Sequence, residues 1–213
     1  MQKIILIAGP TGSGKSEIAI RLAKKINGEI INADSMQVYK EIKILSARPE
    51  KIFNIAHYLY GNISVKNNFS AGEWLKKVKL NLKKILNKKK TPIFVGGTGL
   101  YFKLLTEGIS NIPKIPDSIR AKARKLNKKL GNDKFYNLLI KLDPLVENRI
   151  KQNDTHRLIR AYEVMVFTKK SLFEWQKYNK NDFGNYRYIK IYINPENNFL
   201  HKLIRLRLKK MFE

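Results

Sequence analysis

The chain has 213 residues, no cysteine, and 43 Lys+Arg against 17 Asp+Glu, a formal net charge of +26. That length suits one sizeable core with a smaller appended domain, and 43% hydrophobic residues exclude a disordered chain. Without cysteines there are no disulfides or cysteine-ligated zinc, His57, His156 and His201 lack metal-ligand spacing, and no apolar run reaches membrane-spanning length. A soluble, cytoplasmic protein is expected. The charge suits a polyanionic partner such as RNA, although the excess of Lys over Arg is also what an AT-rich genome would impose.

Lys3–Ala8 reads as a buried strand, and Lys15–Ile26 as a helix with Ile18, Ala19, Leu22, Ala23 and Ile26 on its apolar face. Asn27-Gly28 ends that helix, and Glu29–Asn32 is a second strand with Asp34 just past its tip. A third strand is expected around His57–Ile63. Ser70-Ala-Gly-Glu73 has the form of a capping box opening a basic helix from Ala71 to Lys89. That helix, with Leu75, Val78, Leu82, Ile85 and Leu86 on one face, reads as a sheet cover with a lysine-rich solvent side rather than an RNA arm. "TPIFVGG" is a strand ending in glycines, and Gly99–Thr106 the next helix. Alternating strands and helices imply an α/β fold with a parallel sheet covered on both faces.

After Pro113 the pattern becomes helical and very basic, with no convincing strand from Pro116 to Tyr178. "YRYIKIYIN" returns to strand, and Glu196–Met211 is a last amphipathic helix in which the chain stops. The expected organisation is an α/β core over residues 1–113, a helical insertion over 114–180, and a return to the core, C-terminally incomplete, over 181–213.

Gly9-Pro10-Thr11-Gly12-Ser13-Gly14-Lys15-Ser16 fits G-x-x-x-x-G-K-[ST], between a strand and a helix. Backbone N–H groups of such a loop converge on phosphate oxygens, helped by the helix N-terminus. Lys15 would bridge the terminal phosphates, and the Ser16 hydroxyl would help hold Mg²⁺. A phosphotransferase usually adds an acid at the end of an apolar strand, but "IFVGGTG" ends in glycine and only Asp34 could serve. Position alone leaves Asp34 open as a Mg²⁺-holding acid, a helix cap or a base.

"GPTGSGKS", "DSMQVYK" and "GGTGLY" together resemble the tRNA dimethylallyltransferase family, as do Asp143-Pro144, Arg149-Ile150, "NDTHRLIRAYEV" and "RLRLKKM". The resemblance implies a P-loop core with a tRNA-binding helical insertion. It also implies transfer of a dimethylallyl group from dimethylallyl diphosphate to the exocyclic amine of the adenosine 3′ of the anticodon, in tRNAs reading U-initial codons. The loop would then hold the leaving diphosphate, with Arg207 beside it, and Mg²⁺ would be the cofactor. Asp34 would be the general base, with Lys15 and Thr98 in the catalytic set. RNA would be read by Asp34, Ser35, Met36, Gln37, Thr98 and Arg120, and by His156, Arg157, Leu158, Ile159 and Arg160. A monomer with no membrane contact is implied. Taken without the resemblance, Arg157 and Arg160 read as solvated charges, His156 as a polar surface residue, and Trp74, Trp175, Tyr162 and Phe167 as packing.

The family pattern is broken at Ile44–Pro49, where Leu45 and Ser46 replace Gly and Thr, and at Lys151-Gln152, which replace His-Pro. Thr168–Leu172 lacks a Gly and a Pro, and the family continues past the position of Met211. Two readings from other classes stay open: a small-molecule or nucleoside kinase, and a truncated remnant that binds RNA through charge alone. An enzyme prenylating free adenine nucleotides is a close relative of the main reading.

Overall fold

The computed structural model describes residues 2–49 and 54–212. Five parallel strands form one sheet in the order β3-β2-β4-β1-β7. They are β1 (Lys3–Ala8), β2 (Gly28–Asn32), β3 (His57–Tyr58), β4 (Thr91–Gly96) and β7 (Arg187–Tyr192). The helices of this unit are α1 (Lys15–Ile26), α2 (Ala71–Asn87), α3 (Gly99–Glu107) and α7 (Asn197–Phe212).

Alternate residues of each strand point to opposite faces, and both faces are covered over β1, β2 and β4, whereas the edge strand β7 is largely exposed. Ile4, Leu6, Ile31 and Phe94 pack against Trp74, Val78, Leu82 and Ile85 of α2 and Tyr101 and Leu105 of α3. Ile5, Ile7, Ile30, Ile93 and Val95 face Ala19 and Ala23 of α1. This explains why β1, β2 and β4 are nearly continuous apolar runs rather than alternating ones. On α1 the face is rotated from the expected one: Ile18 is 42% exposed, and Ile20 packs instead.

One turn of the chain differs from expectation. The third strand stops at Tyr58 because Leu59 and Gly61 both take left-handed backbone angles (φ 64 and 56), which break an extended ladder. The chain rejoins the sheet edge only through an isolated parallel bridge between Tyr39 and Ile63. Asn27 (φ 51) is the left-handed cap that ends α1.

The chain divides into two compact units, residues 1–106 with 182–213 and residues 107–181. The second unit holds α4 (Asp117–Leu142), a 3₁₀ turn (Pro144–Val146), α5 (Thr155–Thr168) and α6 (Leu172–Gln176). A two-stranded antiparallel pair, β5 (Ile109–Ser110) with β6 (Asn179–Lys180), closes its ends. Gly131 (φ 71, ψ 168) breaks α4 into two arms. Their apolar sides meet α5 in a separate core that contains Ile115, Phe135, Leu139, Leu158, Ala161 and Val164. Tyr162 and Trp175 pack on this core and Trp74 lies fully buried in the first, while Phe167 is 38% exposed.

Candidate active site

The carboxyl ends of β1, β2 and β4 bring three loops to one edge of the sheet, the usual location for a site in an open parallel sheet. After β1 the chain makes the 9–16 loop and enters α1 directly. Gly12 and Gly14 sit at φ +82 and +79, angles that glycine adopts without cost. A Cβ on Gly9 would come 2.8 Å from the Ile193 carbonyl oxygen, and one on Gly12 would come 3.3 Å from Ile204 Cγ1. The loop is thus folded tightly under the β7–α7 connection.

Within the loop, the buried Lys15 Nζ donates to the Pro10 carbonyl at 3.0 Å. The ammonium thus bonds within its own loop. Burial pulls the Lys15 pKa below the ordinary lysine value; Asp34 opposes the shift and Arg207 adds to it. Lys15 thus lies within electrostatic reach of both Asp34 and Arg207. The Ser13 hydroxyl is buried with no hydrogen-bond partner among the described residues. Arg207, on α7, donates from Nη2 to the Leu45 carbonyl at 3.2 Å.

Asp34 is half-buried, and its Oδ1 accepts the Met36 N–H at 2.9 Å. Oδ2 faces the end of β4: a Cβ on Gly97 would be 3.8 Å from it and 3.5 Å from the Gly9 carbonyl oxygen. Gly96 has no room at all, since a Cβ there would lie 2.0 Å from the Ala33 carbonyl oxygen. Gly96 is thus what allows the end of β4 to lie against the Ala33–Asp34 backbone, whereas a Cβ on Gly97 would make only ordinary contacts. Next to them, Thr98 Oγ1 accepts the Ser35 N–H at 2.9 Å and lies 3.3 Å from Ser35 Oγ.

Met36 is 54% exposed beside Asp34. Gln37 instead turns inward, its Nε2 donating to the carbonyls of Ser46 (3.0 Å) and Ala47 (3.3 Å). Its amide donors therefore organise the 42–47 loop. That loop carries the exposed side chains of Ile44 (66%) and Leu45 (72%). Among the described residues, no cluster of three or more His, Cys, Asp or Glu could hold a metal.

The helical unit carries the other expected RNA residues. Asp154 caps α5 by accepting the Arg157 N–H at 3.1 Å, which leaves His156 and Arg157 exposed on the first turn. Leu158 is 0% exposed and belongs to the core of this unit, with Ile159 packed against it. An RNA contact through the Leu158 side chain is therefore excluded, because the helical period turns it inward between Arg157 and Arg160. Arg160 is held 3.6 Å from Glu163; burial lowers its pKa, Glu163 opposes and the nearby Arg120 adds to the lowering. Arg120 Nε is buried without a partner among the described residues.

Three residues to which the sequence analysis assigned no role lie within reach of Asp34. Asn32 is fully buried and hydrogen-bonded to the Asp34 backbone. Burial raises the Tyr60 phenol pKa, with the negative charge of Asp34 adding to it. Tyr101 is pushed up to about 12 by burial, then by Tyr39 and Asp34. Both phenols are neutral at physiological pH. Their apolar spacing in the sequence carries no sign of this placement.

The family described as IPP transferase matches residues 37–213. The tRNA dimethylallyltransferase of Pelagibacter ubique (strain HTCC1062) is 49% identical over 211 residues, covering 98% of this chain and 67% of that protein. That of Rickettsia massiliae (strain Mtu5) is 46% identical over 215 residues, covering all of this chain and 59% of the relative. The chain thus spans about three fifths to two thirds of the length of these relatives. Among solved structures, a eukaryotic dimethylallyltransferase acting on tRNA superposes with a TM-score of 0.85 at 28% identity, over all of this chain and 53% of the other. A tRNA delta(2)-isopentenylpyrophosphate transferase from Staphylococcus epidermidis superposes at 0.60 with 33% identity, over all of this chain and 70% of that one. The parallel sheet, the phosphate loop and the aspartate at its edge are therefore a P-loop α/β core, and the chain belongs to the IPP transferase family.

Proposed function

We propose that the chain transfers a dimethylallyl group from dimethylallyl diphosphate to the exocyclic amine of the adenosine 3′ of the anticodon, in tRNAs that read U-initial codons. The observation that carries this reading is the pairing of a complete phosphate cradle with a single carboxylate. Asp34 lies near enough to Lys15 to oppose the lowering of its pKa, and two glycines at the end of β4 stand in place of a second acid. A cradle with one base beside it suits a reaction in which diphosphate leaves and a weak nucleophile loses a proton.

In that reaction the amine nitrogen forms a bond to the allylic carbon while the carbon–oxygen bond breaks, and both bonding electrons go to diphosphate. Asp34 takes the amine proton. Lys15 and the loop N–H groups stabilise the charge that grows on diphosphate. The Lys15 pKa is lowered by burial, and a diphosphate anion bound beside it would raise it toward its ordinary value. Thr98 fixes the Ser35 backbone and through it the start of the segment that follows Asp34.

Mg²⁺ fits this donor set. The Ser16 hydroxyl is half-buried at the start of α1, and the scarcity of carboxylates suits a cation that takes most of its ligands from phosphate oxygens and water. When bound it would neutralise charge on the leaving group.

For the RNA, Asp34, Ser35, Met36 and Thr98 would face the target nucleotide at the sheet edge. The helical unit by itself offers Arg120, His156, Arg157 and Arg160. Arg120 Nε, buried and unpaired beside Arg160, is the kind of donor that a phosphate satisfies. No helix among the described residues is long and apolar enough to cross a membrane. From the family resemblance, we propose that the protein acts in the cytoplasm as a monomer. A direct test is retention of labelled dimethylallyl on an unmodified anticodon stem-loop with Mg²⁺. Phosphate transfer from ATP in the absence of a prenyl donor would instead support a kinase.

A further inference from the structure

We propose that Asn32 is the positioning residue for Asp34: its side-chain amide holds the backbone that aims the carboxylate. The inference rests on the base role of Asp34 proposed above.

The last ladder bond of β2 toward β4 runs from the Ala33 N–H to the Val95 carbonyl, at 2.8 Å. Asp34 lies one residue further on, where the sheet no longer dictates its conformation. Asn32 takes over there with every polar atom of its side chain. Oδ1 accepts the Asp34 N–H at 2.9 Å, and Nδ2 donates to the Asp34 carbonyl at 2.9 Å and to the Leu59 carbonyl at 3.0 Å. The peptide groups on both sides of the Asp34 Cα are thus clamped by one amide.

That amide is itself fixed. Asn32 is 0% exposed, and its own carbonyl accepts Trp74 Nε1–H at 2.9 Å. Trp74 is 0% exposed and stacks on Tyr101 at 4.0 Å with a 12° tilt. Leu59, a buried non-glycine residue at φ 64, holds the left-handed conformation while its carbonyl meets Nδ2. Sparsely populated conformations of this kind persist where surrounding contacts over-determine them. The chemistry explains the residue type. An aspartate lacks the two donors, a glutamine displaces them by a methylene, and an aliphatic residue leaves the buried Leu59 carbonyl and the part-buried Asp34 carbonyl and N–H without this partner.

The test compares the full chain with Asn32→Ala and Asn32→Ser, below the melting temperature of each, using dimethylallyl diphosphate, Mg²⁺ and an anticodon stem-loop RNA. Asn32→Ala is expected to lower kcat about tenfold to 100-fold, as for ångström-scale misplacement of a reacting group. The KM for dimethylallyl diphosphate and the affinity for magnesium diphosphate should stay within about twofold, because the cradle hangs from β1. Asn32→Ser, which keeps one donor and one acceptor, should recover part of the rate.

Amide hydrogen exchange gives a readout that needs no turnover. The Asp34 amide should lose protection in Asn32→Ala while the Ala33 amide, bonded to Val95, keeps its own. A folded Asn32→Ala protein with unchanged kcat, or with Asp34 still protected, overturns the proposal. So does a parallel loss of diphosphate affinity and kcat, which would mark general collapse. Absence of transfer by the unmodified chain contradicts the prenyl-transfer reading instead, and exchange at Asp34 still decides whether Asn32 holds it.

Discussion

Lys15 and Asp34 carry opposite charges at one sheet edge, and their separate removal should have separable effects. Asp34→Asn should lower kcat at least about 100-fold, in the range for loss of a general base, while diphosphate binds as well or better because a negative charge has gone. Lys15→Met should lower kcat about 100- to 1000-fold, as for an oxyanion donor. Both are read from steady-state rates alongside calorimetric binding of magnesium diphosphate. Lys15 also gives a pH signature. Its pKa in the ligand-free fold lies below the ordinary value of 10.5, so the folded state binds fewer protons than the unfolded chain in that interval. Its contribution to ligand-free stability therefore grows with pH there, whereas diphosphate affinity falls as pH rises through the lowered value. A Lys15→Arg variant should lose that decline.

At the scale of elements, the loops depend on close backbone approach and the helices on their ends. Gly96→Ala would force a Cβ to within 2.0 Å of the Ala33 carbonyl oxygen and should abolish transfer by pushing β4 from β2, visible as a loss of folded yield. Ser70→Ala removes the hydroxyl that accepts the Glu73 N–H at 3.2 Å and should cost about 1 kcal/mol in denaturant unfolding. Glu29, 1% exposed, pairs with Lys90 at 2.8 Å and with Lys88 at 3.2 Å, and accepts Tyr58 Oη–H at 2.6 Å. Burial opposes its ionisation, but the bonds from Lys90, Tyr58 and Lys88 outweigh that and hold its pKa below the usual 4.5. The resulting stability is present above the unfolded value and lost as pH falls through the depressed one. Glu29→Gln should flatten that acid limb and cost about 1–3 kcal/mol at neutral pH.

The elements read best from the sequence were those whose cause is local. The β1 and α1 boundaries follow from an apolar run and a helical period bounded by Gly14 and Asn27, and the Ser70–Glu73 box is present with both bonds. The third strand was not legible in its true length, since nothing in "HYLYGNI" announces that Leu59 is left-handed. Asn32 was not legible as a clamp because its partners are set by the fold, with Leu59 27 residues and Trp74 42 residues away. Motifs name residues but carry no burial. Leu158 faces inward and Gln37 is committed to the 42–47 loop for reasons of helical phase and loop closure.

For the whole molecule, a formal charge of +26 makes long-range attraction to RNA inevitable and specificity a separate matter. Binding to any RNA should weaken as salt rises, with a slope set by the phosphates contacted. Arg160→Ala should weaken binding of an anticodon stem-loop about tenfold and reduce that slope, since it removes a half-buried cation beside Arg120. The central claim is prenyl transfer to RNA, and one measurement bears on it most directly. The 213-residue chain is incubated with Mg²⁺, labelled dimethylallyl diphosphate and unmodified tRNA reading U-initial codons, with AMP replacing tRNA in a parallel reaction. Label on the adenosine 3′ of the anticodon, absent from AMP and lost in Asp34→Asn, is the predicted result. No label on tRNA from folded protein, or label on AMP alone, would contradict it.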